Sequence, residues 1–223
     1  MVQNESQRAR LLQAEAWYGR TLAERVISAL EQNNMQGMYA ETGEEALQRT
    51  LELVPKGSSV GLGGSLTLDQ IGAVEALRKG DYHLIDTRNP GLSEAERDKL
   101  DKQALVSDVY LTSTNAVTLD GKLVNVDGQG NRVAAMIFGP SRIIVVAGVN
   151  KIVPTQEAAL QRIKDYVGPI HARRRDRPLP CAKSGKCSDC RAPLRFCNVT
   201  GIIENQRKKD RITVIICGER LGI

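Results

Sequence analysis

The chain is poor in aromatic residues. Trp, Tyr and Phe make up 4% of its 223 residues, and only two histidines are present. From those two, His83 and His171, no Ser/His/Asp or Cys/His nucleophile set can be assembled by spacing. No apolar run approaches the roughly 18 residues needed to cross a bilayer, so no membrane span is expected. The opening MVQNESQRAR has no apolar stretch behind its charges, which argues against a secretory signal and points to the cytoplasm. In the basic C-terminal part only Phe196 is aromatic, so a stacking platform for nucleic acid is lacking and nucleic acid is not an expected partner.

A hydrophobic content of 41% is enough for one sizeable globular core with an appendage. The net charge of +5 is unevenly spread. From His171 onward there are 13 Lys and Arg against 5 Asp and Glu, whereas the first 170 residues hold 18 against 21. Such a tail attracts anionic partners, or is simply a solvated surface.

Residues 4–33 read as a helix with Leu11, Leu12, Leu22, Val26, Ile27 and Leu30 as apolar anchors, expected to pack on the chain's own sheet, with packing on a partner subunit as the alternative that Trp17 and Tyr18 leave open. Short strand-like runs then alternate with helical ones. The strands are 37–40, 58–62, 82–86, 108–112 and 142–147, with 212–217 returning to the same sheet. Thr42 with Glu45, Thr67 with Gln70 and Ser93 with Glu96 each have the spacing of a helix capping box. Asp120-Gly121 between 117–119 and 122–126 is a hairpin-turn signal. A short helix is expected over 131–138 and another over 155–167, ended by Gly168-Pro169. Alternating β and α favours an α/β fold with a mostly parallel sheet between helices. The expected division is a helical segment over 1–35 and an α/β domain over 36–223, with a cysteine-rich insertion at about 178–200.

Four loops carry candidate ligand groups. Gly61, Gly63, Gly64, Ser65 and Thr67 lie between a strand and a helix start, where backbone amides can turn toward an anion; a tight capped turn is the alternative. Asn115 and Asp120 follow a strand's C-terminal end, with Asp120 readable as a base, a ligand clamp or the turn residue alone. The run Asn125 to Arg132 holds Asp127, Gly130 and Asn131. Its spacing fails a calcium loop, and Arg132 offers a fork for phosphate or carboxylate. Asn150 and Lys151 follow the buried strand, with Lys151 a candidate phosphate ligand or acid/base group. Asp120 and Lys151 are the catalytic candidates.

Four of the five cysteines, Cys181, Cys187, Cys190 and Cys197, fall in one 17-residue stretch among Lys183, Lys186, Arg191 and Arg195. Thiolates so close in sequence suggest a metal centre, either an iron–sulfur cluster or zinc, with dithiol chemistry and free thiols as alternatives. His171 is a candidate fifth ligand. Cys217, in an apolar run, reads as core.

The segments GSSVGLGGSLTLDQIG, TNAVTLDGKLVNVDGQGNRVA, VVAGVNKIV and PCAKSGKC with RFCN and RITVIICGERLGI together resemble the LUD-domain family. These are the lactate utilisation proteins, here of the short type similar to the C subunit of the bacterial lactate oxidation complex. The resemblance implies a three-layer α/β fold similar to the ribose-phosphate isomerase and CoA-transferase group. It implies a role in lactate oxidation beside iron–sulfur subunits, with a small anionic ligand on the glycine, asparagine, arginine and lysine positions above. The competing readings are a phosphate- or CoA-ligand isomerase or transferase with a structural zinc, and a ligand sensor without catalysis.

Overall fold

The computed structural model describes residues 2–223. The elements in chain order are α1 (Val2–Gln32), β1 (Gln36–Ala40), α2 (Gly43–Leu53), β2 (Ser59–Leu62), α3 (Leu66–Gln70), α4 (Ala73–Lys79), β3 (His83–Ile85), α5 (Glu94–Ala104) and β4 (Val109–Thr112). There follow β5 (Ala116–Thr118), β6 (Leu123–Asp127), α6 (Asn131–Ile137), β7 (Arg142–Gly148), β8 (Ile152–Val153), α7 (Gln156–Arg162), α8 (Gly168–Arg174), α9 (Pro180–Ser184), β9 (Val199–Ile203) and β10 (Ile212–Cys217).

Six strands form one parallel sheet in the order β1-β10-β7-β4-β2-β3. The continuous apolar runs of β7 and β10 put them at its centre, because only a strand covered on both faces can bury every residue. Ile143, Val145 and Ala147 alternate to one face, where they meet Ala23, Val26 and Leu30 of α1 and Ala135 and Met136 of α6. Ile144 and Val146 alternate to the other, where they meet Ala46 of α2, Leu68 of α3 and Val74 and Leu77 of α4. Helices thus cover both sides of the sheet. Cys217 is fully buried in β10.

A second sheet, β8-β5-β6-β9, is mixed and separate. The Asp120-Gly121 turn joins β5 and β6 as an antiparallel hairpin, with Val117 opposite Leu123. Gly121 sits at φ +81°, and a Cβ there would lie 2.8 Å from the Ala29 carbonyl carbon of α1, so both its conformation and its clearance demand glycine. Strand β9 has no counterpart in the sequence reading.

Several sequence expectations need correction. Leu11, Leu12, Trp17 and Tyr18 are all more than half exposed, because the N-terminal half of α1 runs past the sheet; the anchors that bury are Val26 and Leu30. Of the three capping boxes only Ser93 with Glu96 is complete. Thr42 caps the Glu45 amide, while the Glu45 carboxylate reaches Glu41 instead. The helix at 66–70 is capped by Ser65, and Thr67 is buried within it. Gly168-Pro169 does not stop the helix. A π turn over Ile163–Val167 widens the ladder, the Gly168 amide bonds Ile163, and Pro169 opens α8 where its missing N–H costs nothing. Among the described residues no helix is long and apolar enough to cross a membrane.

Candidate functional site

A cleft of about 1040 Å³ opens at the C-terminal ends of the parallel strands. Its floor is built by the segments that leave them: Gly64 to Thr67 after β2, Thr87 and Arg88 after β3, Ser113 to Asn115 after β4, Lys151 after β7 and Gly222 after β10. Crossovers in a parallel sheet leave a crevice at this edge, which is where such sheets place ligands. The second sheet supplies Val126 and Asp127, and the stretch from Leu160 to Thr200 forms the opposite wall. Nine Arg and Lys residues line the cleft against three Asp, so its field favours an anion.

Lys151 lies at the bottom, 4% exposed. Its Nζ is 2.9 Å from Thr67 Oγ1 and 2.8 Å from Ser113 Oγ. Among the described residues no carboxylate stands within ion-pair distance of it, unlike the thirteen pairs found elsewhere. Burial, followed by the charges of Arg162 and Arg132, pulls its pKa down to about 7. An amine in that condition is free base in a large fraction at neutral pH, and can act as a base or a nucleophile.

Arg132 lines the cleft, and its guanidinium is also engaged within the protein. Its guanidinium meets Asp127 Oδ1 at 2.6 Å, Asn115 Oδ1 at 2.9 Å and Asn125 Oδ1 at 2.5 Å, and donates to the Ser113 and Val126 carbonyls at 3.0 and 3.1 Å. Asp127 is completed by the Val133 amide at 2.8 Å. The fork is spent on joining β5, β6 and the start of α6, so Arg132 contributes charge and shape to the cleft more than free donors. Arg162 is similar, donating to the Asn115 and Asn150 carbonyls at 2.8 and 3.2 Å. Burial lowers its pKa.

The outer wall carries Arg174, Arg175, Arg177 and Lys164. His171 packs edge-on against Phe196 with ring centroids 4.6 Å apart. Burial, with Arg174, Arg175 and Arg132 adding repulsion, pushes its pKa down to about 4, so the ring is neutral at pH 7.

The cysteines line the same wall, but the expected iron–sulfur or zinc centre is overturned. Among the described residues no group of three or more His, Cys, Asp or Glu side chains is placed to hold a metal ion. All five cysteines are free thiols. The segment is ordered instead by Arg195, which donates to the Cys190 and Cys197 carbonyls, and by Lys164, 2.9 Å from Asp189. Cys187 Sγ accepts from the Asp189 amide at 3.4 Å.

Of the candidate residues, Gly64, Ser65, Thr67, Asn115, Asn131, Arg132 and Lys151 come together in the cleft. Five do not line it. Gly61 and Gly63 lie behind, against Tyr110 and Thr112. Gly130, at φ +87°, only starts α6. The Asn150 side chain accepts from the Leu221 amide at 3.0 Å. Asp120 sits in the hairpin turn, where its carboxylate meets Thr118 and Lys122 and its carbonyl accepts from Asn33. The sequence reading missed Ser113, Arg97 and Arg162. The polar run Thr112 to Asn115 at the end of a buried strand was the available signal for the first.

Over residues 23–217 the chain matches the family model of the LUD domain. No curated protein matches it. Among solved structures it is similar to the crystal structure of a DUF162 family protein from Deinococcus radiodurans. That likeness has 14% identity and a TM-score of 0.47, over 89% of this chain and 97% of the other.

Proposed function

The chain belongs to the LUD domain family, and from that membership and the cleft we propose that it serves lactate utilisation by binding a small carboxylate over Lys151. The observation that carries this reading is a buried lysine at the floor of a basic crevice, with no carboxylate partner among the described residues. An anion entering there supplies the countercharge that the fold withholds, and low dielectric makes that pairing strong. Three-carbon acids of the lactate and pyruvate type fit the polar floor made by Ser65, Thr67 and Ser113. Electron transfer in this reading belongs to partner iron–sulfur subunits.

Titration calorimetry at low ionic strength tests it with L-lactate, pyruvate and inorganic phosphate as probes. Saturable binding is expected for a carboxylate, weakened about tenfold or more in Lys151→Met and reduced by added salt. Absence of binding by every probe overturns the reading. A second reading is favoured by size: a cleft of about 1040 Å³ exceeds what a three-carbon acid fills. Its outer arginines would then hold the phosphates of a CoA or sugar-phosphate ligand, as in the isomerase and CoA-transferase group. Binding of those compounds in preference to lactate or pyruvate decides for it.

A further inference from the structure

We propose that Lys151 forms an imine with a 2-oxo carboxylate bound in the cleft. This rests on the carboxylate-binding reading and goes past it, from holding an anion to reacting covalently with its carbonyl. Three features of the site carry it. The Lys151 amine is buried yet belongs to the cleft wall, so a ligand reaches it while bulk water is largely kept away. Among the described residues no carboxylate holds it as an ammonium ion, as a purely structural lysine at this depth would require. Two hydroxyls, Thr67 Oγ1 and Ser113 Oγ, stand at 2.9 and 2.8 Å from Nζ and 3.4 Å from each other. All three residues face the same cavity. The lowered pKa described above adds the free-base form on which attack depends.

The reaction balances without an oxidant or reductant. The Nζ lone pair attacks the C2 carbonyl carbon and the C=O pair moves onto oxygen; one nitrogen proton, relayed through the Ser113 and Thr67 hydroxyls, then reaches that oxygen and completes a carbinolamine. The carbinolamine hydroxyl takes the second nitrogen proton by the same relay and leaves as water as the nitrogen lone pair forms C=N, so both hydroxyls end as they began. Amine and ketone become imine and water. Ser113 and Thr67 lie where such protons must be handed over. The surrounding cationic wall, which includes Arg132, favours the carboxylate of the same molecule, and Arg162 adds its charge near Lys151. A 2-oxo acid is what a 2-hydroxy acid becomes on losing hydride, so the reaction class that supplies this ligand is 2-hydroxy-acid dehydrogenation.

Borohydride trapping tests the proposal on the full chain. Pyruvate and borohydride at neutral pH should give one adduct by intact mass, heavier by the acid less one oxygen atom, mapping to Lys151. Lactate, which has no ketone, should give none. Lys151→Met should lose the adduct. Ser113→Ala keeps the amine and should slow trapping about tenfold or more, which guards against a misfolded methionine variant. Calorimetry with pyruvate runs alongside. Pyruvate binding without an adduct at Lys151 overturns the imine and leaves the carboxylate site standing. No binding and no adduct overturns both. Labelling spread over surface lysines, equal in Lys151→Met, also overturns the imine.

Discussion

Arg132 Nη2 lies 2.6 Å from Asp127 Oδ1, with the two side chains 13% and 6% exposed. The pair locks the hairpin of the second sheet to α6, beneath the loop that carries Ser113 and Asn115. Removing one member leaves a buried charge alone, which costs far more than the pair contributes. Arg132→Ala should therefore lose about 3–5 kcal/mol in denaturant unfolding. Arg132→Lys should recover only part, since an ammonium cannot reproduce the fork. A variant of unchanged stability that loses only ligand affinity would show instead that the guanidinium is a free anion clamp.

Lys151 gives a signed pH dependence. Its pKa falls from 10.5 to about 7 on folding. Below pH 7 both states hold the proton and the fold bears the full cost of a buried ammonium. Between about pH 7 and 10.5 the unfolded chain holds a proton the fold has released, so stability rises with pH. Arg132 and Arg162 strengthen the effect from α6 and α7. Lys151→Met removes the linkage. Relative to wild type, it should be more stable at pH 6 than at pH 10 by about 1–3 kcal/mol. Parallel stability curves would mean that the lysine is not desolvated.

His171 acts in a different window. Its folded pKa is about 4 against an ordinary 6.5, so between those values the unfolded chain binds a proton the native ring refuses. Stability from this group is complete above about pH 6.5 and falls as pH drops toward 4. The ring is only partly buried, and solvent screening holds the effect to about 1 kcal/mol. His171→Asn should flatten the limb between pH 6.5 and 4 in melting curves. The limb at lower pH should persist, because it belongs to carboxylates such as Asp86, whose pKa is lowered by Arg88 and Arg78 despite its burial.

These three residues also mark how far the sequence could be read. The parallel sheet was legible because β7 and β10 are unbroken apolar runs, and the hairpin because Asp-Gly admits few other conformations. Lys151 was legible as a strand-end lysine. Its isolation was not, since Thr67 and Ser113 stand 84 and 38 residues away in the chain. Arg132 was legible as a cation of the cleft, but local sequence does not show that Asn115, Asn125 and Asp127 surround it. The cysteines were misjudged for the same reason. Spacing brings sulfurs near each other along the chain, but Arg195 and Lys164 decide how the segment lies. Pro169 misled because a π turn, invisible to pattern, accommodates it.

The thiols should separate by depth. Cys217 is buried in β10, and burial pushes its pKa up to about 11. Only the thiolate reacts with alkylating reagents, so Cys217 should stay unmodified at pH 8 until denaturant exposes it. Cys187, Cys190 and Cys197, partly exposed on the cleft wall, should react in the native protein. Burial raises the pKa of Cys181, which should lag behind them. Peptide mapping after timed alkylation reads the order, and native-state labelling of Cys217 would contradict the burial of β10.

Two adjacent glycines distinguish scaffold from site. A Cβ on Gly63 would stand 2.5 Å from Thr112 Oγ1 and 3.0 Å from Thr112 Cβ, inside the packed junction of β2 and β4. Gly63→Ala should cost about 1–3 kcal/mol by overpacking. A Cβ on Gly64 meets nothing within 4 Å, yet Gly64 lines the cleft. Gly64→Ala should leave stability within about 0.5 kcal/mol of wild type, so any loss of carboxylate affinity it causes reports a methyl group in the path of the ligand. Loss of affinity in Gly64→Ala at wild-type stability would tie the ligand to the loop after β2. Unchanged affinity would move the ligand away from that loop, toward the outer wall where Arg174 and Arg175 stand.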